Sequence, residues 1–384
     1  VFTVASGLCA LSGSLGELTA MRVLQGVGGA MMVPVGRLAV LRSTGKADLI
    51  KAIAYLTWPA LAAPLVAPVL GGVLSTYASW RWIFVVNIPL GVIAFFVTLR
   101  IVPQARPGGP RRLDWRGFLW GGVGLGTLLF GTEAVSAGNV NWPRAGAAVA
   151  VGSLLIGLAV RHLRRTAEPL VNLRVLRIPT FRVTNVGGSL YRMAIGAVPF
   201  LLPLLFQDGF GWSPVKSGVL VIAVFAGNIG IKPLTSPLLR RFGFKRVLIA
   251  SALLGGVSIA VCGLLRSGTP LPVIIGVLFV SGVARSVAFT AYNTIAFADV
   301  APTELNSANT LWATVNQLAM GLGVALAAVA LRLGTPVSHL FGSYRSASAP
   351  FTVAFFALSA LAFFSIAESV SLPAGAGSSL NARR

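Results

Sequence analysis

The sequence predicts an all-α polytopic membrane protein, and three observations carry that prediction. In composition, 55% of the 384 residues are hydrophobic, only 10% are charged and mean hydropathy is +0.84, where a soluble domain carries roughly 25% charged residues. In pattern, apolar runs of about 18–25 residues recur along the chain, the length a helix needs to cross a bilayer. In charge, about 20 of the 31 Lys and Arg fall on one side of the proposed helices, about 6 on the other and about 5 within them, as cytoplasmic loops differ from external ones. That sorting also decides what the net charge of +22 means: basic loops along a membrane rather than a nucleic-acid interface. The ~10-residue alternation of transmembrane barrel strands is missing.

The elements follow in order. A partial helix is expected over 1–14, because the run "VFTVASGLCALSG" has about 13 residues where a span needs about 20. The chain opens on Val1 without a signal peptide, and is read as starting partway through a helix with further helices upstream. Full helices are expected at 18–41, 51–76, 81–101, 115–136, 145–162, 181–206, 214–239, 246–265, 271–297, 306–331 and 350–368, which makes twelve segments. The basic loops "LRSTGKADLIK", "RIVPQARPGGPRRLDWRG", "RHLRRTAEPLVNLRVLRIPTFR" and "LRRFGFKR" alternate with short, cation-poor ones and belong in the cytoplasm. Trp80, Trp82, Trp142 and Trp212 fall near the outer ends, as interfacial aromatics do. The longest basic loop, 161–182, separates two helical blocks, and helices 115–136 and 145–162 carry so few polar residues that they read as lipid-facing or accessory. Glu133, their one acid, is near the outer end. The tail "PAGAGSSLNARR" has a disordered composition.

Chemistry should lie where polar groups enter apolar helices. A charge at mid-bilayer costs about 2.5–3.5 kcal/mol on insertion scales and then needs a partner or a wet cavity. Four cations qualify: Arg22, Arg192, Lys232 and Arg285. Arg22 shares a helix face with Gln25, Gly26 and Gly29, and Gly26 with Ala30 is a small-xxx-small pair suited to a close neighbour. Arg192 lies mid-helix, with Asn185, Gly188, Ser189, Gly196 and Pro199 on or near its face; Arg285 is followed by Phe289, Tyr292 and Asn293 on neighbouring turns. Ser307, Thr310, Thr314, Gln317 and Gly321 form a polar stripe, which interhelical hydrogen bonding would also explain. Snorkelling to the headgroups is the competing reading for the cations, strongest for Lys232 and Arg22. No Asp or Glu sits at mid-depth, so the deep arginines must meet backbone carbonyls, Asn, Gln, a missing helix or an anionic substrate. In "WPALAAPLVAPVLGG", Pro59, Pro64, Pro68, Gly71 and Gly72 interrupt one helix repeatedly, either as a fixed kink or as a gate that bends. Cys9 and Cys262 stand in separate apolar runs and read as packing residues. No GxxxxGK[ST], HExxH or GxSxG occurs, His162 and His339 stand alone in loops, and neither enzyme chemistry nor a metal site is expected.

These stretches resemble one family. "RVLQGVGGAMMVPVGR" is similar to the fourth-helix Arg-x-x-Gln-Gly motif of major facilitator superfamily drug:proton antiporters, and "APLVAPVLGG" to the antiporter motif of their fifth helix. "SWRWIFVVNIPLG" resembles the start of the sixth helix in the fourteen-span branch, the EmrB/QacA type. "GAVPFLLPLLFQDGFGWSPVKSG" and "RSVAFTAYNTIAFADV" resemble later helices of its MdtD-like group. The resemblance implies helices three to fourteen of fourteen. It divides the chain into the remainder of an N-terminal bundle (1–102), two accessory helices with inner loops (103–180), a C-terminal six-helix bundle (181–370) and a tail (371–384). It further implies alternating access around a site near the midplane. Arg22 and Gln25 match the proton-coupling motif; Pro68, Gly71 and Gly72 match the antiporter motif and with Pro64 would form the gating helix; Arg192, Arg285, Phe289, Tyr292, Asn293 and Gln317 would line the substrate cavity. The family's first-helix acid and Gly-rich Asp/Arg loop fall before Val1, Ala63 and Ala67 replace expected glycines, and Arg240 stands where an Asp is common.

The functional expectation is a proton-gradient-driven exporter of small amphipathic compounds in the bacterial inner membrane. No cofactor and no nucleic acid are expected, and an outer-envelope efflux partner is a conceivable addition. Two alternatives stay open: an exporter of an anionic metabolite, and a truncated, non-transporting fragment or scaffold.

Overall fold

The computed structural model describes residues 1–45, 48–49, 51–56, 74, 77–101, 114–136, 140–166, 169–340, 347–373 and 375–377, and every regular element among them is helical. Nine helices are long and apolar enough to cross a membrane; a bent pair supplies a tenth span, and Phe2–Leu11 is a shorter apolar helix. The remaining expected segment, 51–76, is helical over 51–56 and otherwise lies mostly outside the described residues, as do the gating residues Pro64, Pro68, Gly71 and Gly72. The end of the tail, 378–384, lies outside them too.

The chain divides into two compact units, Val1–Thr44 with Pro59–Arg111 and Gly45–Trp58 with Arg112–Arg384. In the first, α1 (Phe2–Leu11) and α2 (Leu15–Ser43) form a hairpin against α3 (Trp82–Val85) and α4 (Asn87–Ile101). The start of α2 is written locally. Ser14 accepts the Glu17 N–H at 3.2 Å, and the Glu17 carboxylate accepts the Gly13 N–H at 2.8 Å, which satisfies donors that a helix start leaves open. The close approach of α1 to α2 does not use the Gly26–Ala30 pair, since no described residue comes within 4 Å of where a Gly26 Cβ would be. It uses Gly28, whose Cβ would lie 2.6 Å from the Phe2 nitrogen. Small residues are spread along α2, so spacing alone did not reveal which of them meets the partner.

The second unit runs through α5 (Trp115–Ser136), α6 (Trp142–Arg165), a 3-10 turn (Leu173–Arg177), α7 (Pro179–Asn185), α8 (Gly187–Leu204), a π turn (Leu205–Gly209), α9 (Pro214–Gly230), α10 (Lys232–Phe242), α11 (Phe244–Leu264), α12 (Leu271–Ile295), α13 (Leu305–Leu340) and α14 (Ala349–Val370). Its helices meet backbone to backbone. A Cβ on Gly152 of α6 would lie 2.6 Å from the Leu128 nitrogen of α5, and one on Gly282 of α12 would run into the Val224 carbonyl of α9. Water-driven burial is weak between helices in lipid, so such close backbone packing is what holds them. The α5–α6 hairpin packs on α13, where Gly321 faces Leu129, while Val123, Phe130, Val151 and Leu154 remain exposed on its other faces.

Two helices expected to be continuous are broken, each for a local reason. The segment read as 214–239 bends by 49° at Ile231. Pro233 follows at the start of α10 and has no N–H to return to α9. The segment read as 181–206 breaks at Val186 (φ −94, ψ −71) and continues through Pro199 and Pro203 into the π turn.

His162, read as an isolated loop residue, is instead in the last turn of α6 and pairs with Asp114 at 2.8 Å. Asp114 also accepts the Gly117 N–H at 2.9 Å and the Leu170 N–H at 3.3 Å, tying the start of α5 to the end of α6. Burial by itself would raise the Asp114 carboxyl, but hydrogen bonds from Gly117, His162 and Leu170 outweigh it and hold it below the usual carboxylate range. Cys9 and Cys262 are both buried free thiols.

Candidate functional site

In the second unit the deep cation of α8 is enclosed. Arg192 is 1% exposed, as is Tyr292, and Asn293 is 0% exposed. The break at Val186 supplies one partner: the Thr184 carbonyl near the end of α7 has no helical donor among the described residues, and Arg192 donates through Nη1 to it at 3.0 Å. Nη2 donates to Asn293 Oδ1 on α12 at 3.1 Å. Three rings surround the guanidinium, with centroids at 5.9 Å (Phe289), 5.9 Å (Tyr292) and 5.7 Å (Trp312). Gly188 makes this possible, because a Cβ there would stand 3.0 Å from Nη1 and 3.1 Å from Tyr292 Cδ1. The Tyr292 hydroxyl is 3.2 Å from Ser369 Oγ on α14, and Thr184 Oγ1 donates to the Tyr292 carbonyl at 3.2 Å, so with Trp312 on α13 five helices contribute to the cluster.

The electrostatics are unusual because the carbonyl, the amide and the three rings around the guanidinium are all neutral. Among the described residues the ion pairs are Asp114–His162 and Arg182–Glu368, and neither involves Arg192 or Arg285. Arg192 Nε is buried without a hydrogen-bond partner. A guanidinium so placed is held by dipoles and ring faces, which offset only part of its lost hydration.

The other expected residues divide. Phe289, Tyr292 and Asn293 do converge on Arg192. Arg285 reaches a different partner, donating through Nη1 to the Ile195 carbonyl of α8 at 3.3 Å. Gln317 is exposed on α13. Lys232 is buried at the α9–α10 bend and donates to Thr290 Oγ1 of α12 at 2.7 Å. Trp312 and Thr184 were missed. The ring of Trp312 is one of three around the cation, but it sits on a helix far away in sequence, and Thr184 contributes only a backbone atom, which no side-chain pattern announces.

In the first unit Arg22 and Gln25 come together. Arg22 is exposed and donates through Nη1 to Gln25 Oε1 at 2.7 Å. Gln25, 3% exposed, donates through Nε2 to Ser6 Oγ at 2.6 Å, and Ser6 Oγ donates to the Phe2 carbonyl at 3.0 Å. The Arg22 guanidinium lies 5.6 Å from the Phe84 ring centroid. A polar chain thus runs from the side of α2 into the α1–α2 contact. Ser6 had no distinguishing sequence signal beyond being a small polar residue in an apolar run.

This is a helical membrane protein whose buried polar groups are clustered on glycine-packed helices, the architecture of a small-molecule transporter. The sequence pattern of the Major Facilitator Superfamily matches residues 1–323 and again 184–377, and the chain belongs to that superfamily. It is 38% identical over 335 residues to proteins named "Putative multidrug resistance protein MdtD" in Salmonella heidelberg (strain SL476), Salmonella paratyphi A and Salmonella typhimurium (strain LT2), covering 86% of this chain and 70% of each relative. It is a multi-pass inner-membrane protein and a transporter, not an enzyme.

Proposed function

We propose that this chain exports small amphipathic compounds, a multidrug type of transport, in exchange for protons and by alternating access. The observation that carries the substrate class is the Arg192 cluster: a cation held by neutral acceptors and faced by three aromatic rings. When the unit opens toward a pathway, rings offer stacking area and the unpartnered Nε offers a donor, the mix that amphipathic ligands use. Similarity to the MdtD proteins supports the same reading. In it, Arg22 and Gln25 support the proton relay and Arg285 and Gln317 belong to the wider substrate path. The Pro64–Gly72 segment bends as the gate. The proton gradient is the only energy source, and an outer-envelope partner would receive the exported compound.

The test is uptake of a fluorescent amphipathic dye by inside-out vesicles with an acidified lumen. Collapse of the pH gradient should stop uptake, and transport that continues unchanged would refute proton coupling. A second reading, export of an anionic metabolite, is favoured by deep cations with no deep acid among the described residues. It predicts that Arg192→Gln abolishes anion transport and spares cationic dyes, whereas the leading reading predicts that dye transport falls as well.

A further inference from the structure

The loop between α6 and α7 folds back on the protein through Val171 and Val175, 9% and 0% exposed. Between the end of α6 and the Leu173–Arg177 turn it leaves a cavity of about 550 Å³. Beside Thr166, Pro169 and Asn172, two kinds of residue dominate the wall. Arg164, Arg174 and Arg177 line it, and so do Leu163, Leu173 and Leu176. None of the three arginines takes part in an ion pair among the described residues, and the neighbouring carboxylate of Asp114 is engaged by His162, Gly117 and Leu170. Across 161–182 there are six arginines and one glutamate.

The height of the cavity is set by its flanks. One apolar span ends at Arg165 and the next begins at Pro179, so the opening lies at headgroup level, and the basic composition of the loop assigns it to the cytoplasmic side. Guanidiniums match phosphate geometry, with paired donors on a planar fork. A freely soluble anion would have no use for three leucines beside them. A phospholipid has both parts, and basic pockets next to transmembrane helices on the cytoplasmic side hold anionic headgroups. A volume of about 550 Å³ is within the range of small-molecule sites. We infer that this cavity binds an anionic phospholipid of the inner leaflet, its phosphate on Arg164, Arg174 and Arg177 and its glycerol and first acyl carbons on Leu163, Leu173 and Leu176.

The experiment is native mass spectrometry of the full chain released from detergent and titrated with phosphatidylglycerol, phosphatidylcholine or inorganic phosphate. The chain should retain phosphatidylglycerol in preference to phosphatidylcholine. The triple variant R164Q/R174Q/R177Q should weaken phosphatidylglycerol retention roughly 100-fold, at roughly fivefold per arginine near a charged surface. The triple Lys variant should keep most of it, and the single variant R174Q, the fallback if the triple variant aggregates, should lose roughly fivefold. Replacing Arg240 and Arg241, which are on the separate cytoplasmic end of α10, should leave retention unchanged. Equal retention by the wild-type chain and the Gln variants, or of the two lipids, would overturn the site. Inorganic phosphate that displaces phosphatidylglycerol and is itself retained would overturn the lipid as its occupant.

Discussion

Replacing Asn293 and Arg192 separately and together tests whether the buried guanidinium is a burden that its neutral partners only partly relieve. Asn293→Leu keeps the shape and removes the side-chain acceptor 3.1 Å from Arg192 Nη2. A hydrogen bond to a charged group contributes about 1.5–3 kcal/mol, and an unsatisfied buried donor is left behind, so the single variant should lose about 2–3 kcal/mol. Arg192→Met alone strands the Thr184 carbonyl and Asn293 Oδ1, about 1–3 kcal/mol each. It also removes a cation whose membrane burial costs about 2.5–3.5 kcal/mol, so its net effect should be small. In the double variant Oδ1 no longer exists and the cation is gone. It should therefore be more stable than Asn293→Leu by at least ~1 kcal/mol, because only the Thr184 carbonyl remains stranded. Any other interaction of Asn293 is lost from both variants and cancels in that comparison. Equilibrium unfolding in mixed micelles followed by tryptophan fluorescence supplies the four stabilities of the cycle. Additivity within about 0.5 kcal/mol would show that the two side chains do not support each other. A double variant less stable than Asn293→Leu would show that the guanidinium is a net asset, refuting the reasoning.

Three further outcomes are expected. Gly282→Ala drives a methyl into the Val224 carbonyl and should cost more than about 3 kcal/mol, seen as loss of the monodisperse peak in size-exclusion chromatography, while Gly26→Ala, with no described residue within 4 Å of the added methyl, should be neutral. Gln25→Leu cuts the link from Arg22 to Ser6 and should destabilise by about 1–3 kcal/mol in thermal unfolding, a loss that Arg22→Lys should not reproduce in full. Because the folded Asp114 carboxyl is held below its unfolded value, its stabilising contribution is present above the ordinary carboxylate range and lost as pH falls through the lower folded value; unfolding temperature should drop on acidification, and Asp114→Asn should flatten that drop.

Much of the membrane architecture was legible because it depends on quantities summed over long windows. Twenty apolar residues give a span wherever they sit, and cations sort by side without reference to any particular neighbour. The Arg22–Gln25 pairing was equally readable, since residues three apart on a helix meet in any fold. The same local logic placed Phe289 and Tyr292 on the turns after Arg285, but it could not show which arginine their rings pack against. They are next to Arg192, a residue about one hundred positions away, and separations of that size are set by which helices pack together.

The amino-acid sequence by itself determined an all-α membrane transporter and the buried cations around which chemistry could be built. Length, hydropathy and charge placement act residue by residue against lipid and water, so they need no knowledge of partners. The tertiary structure decided which glycine admits a neighbour, where α9 turns into α10, and that Arg192 is held by a freed carbonyl, an amide and three rings. Those outcomes depend on distances between helices, and only the packed chain fixes such distances.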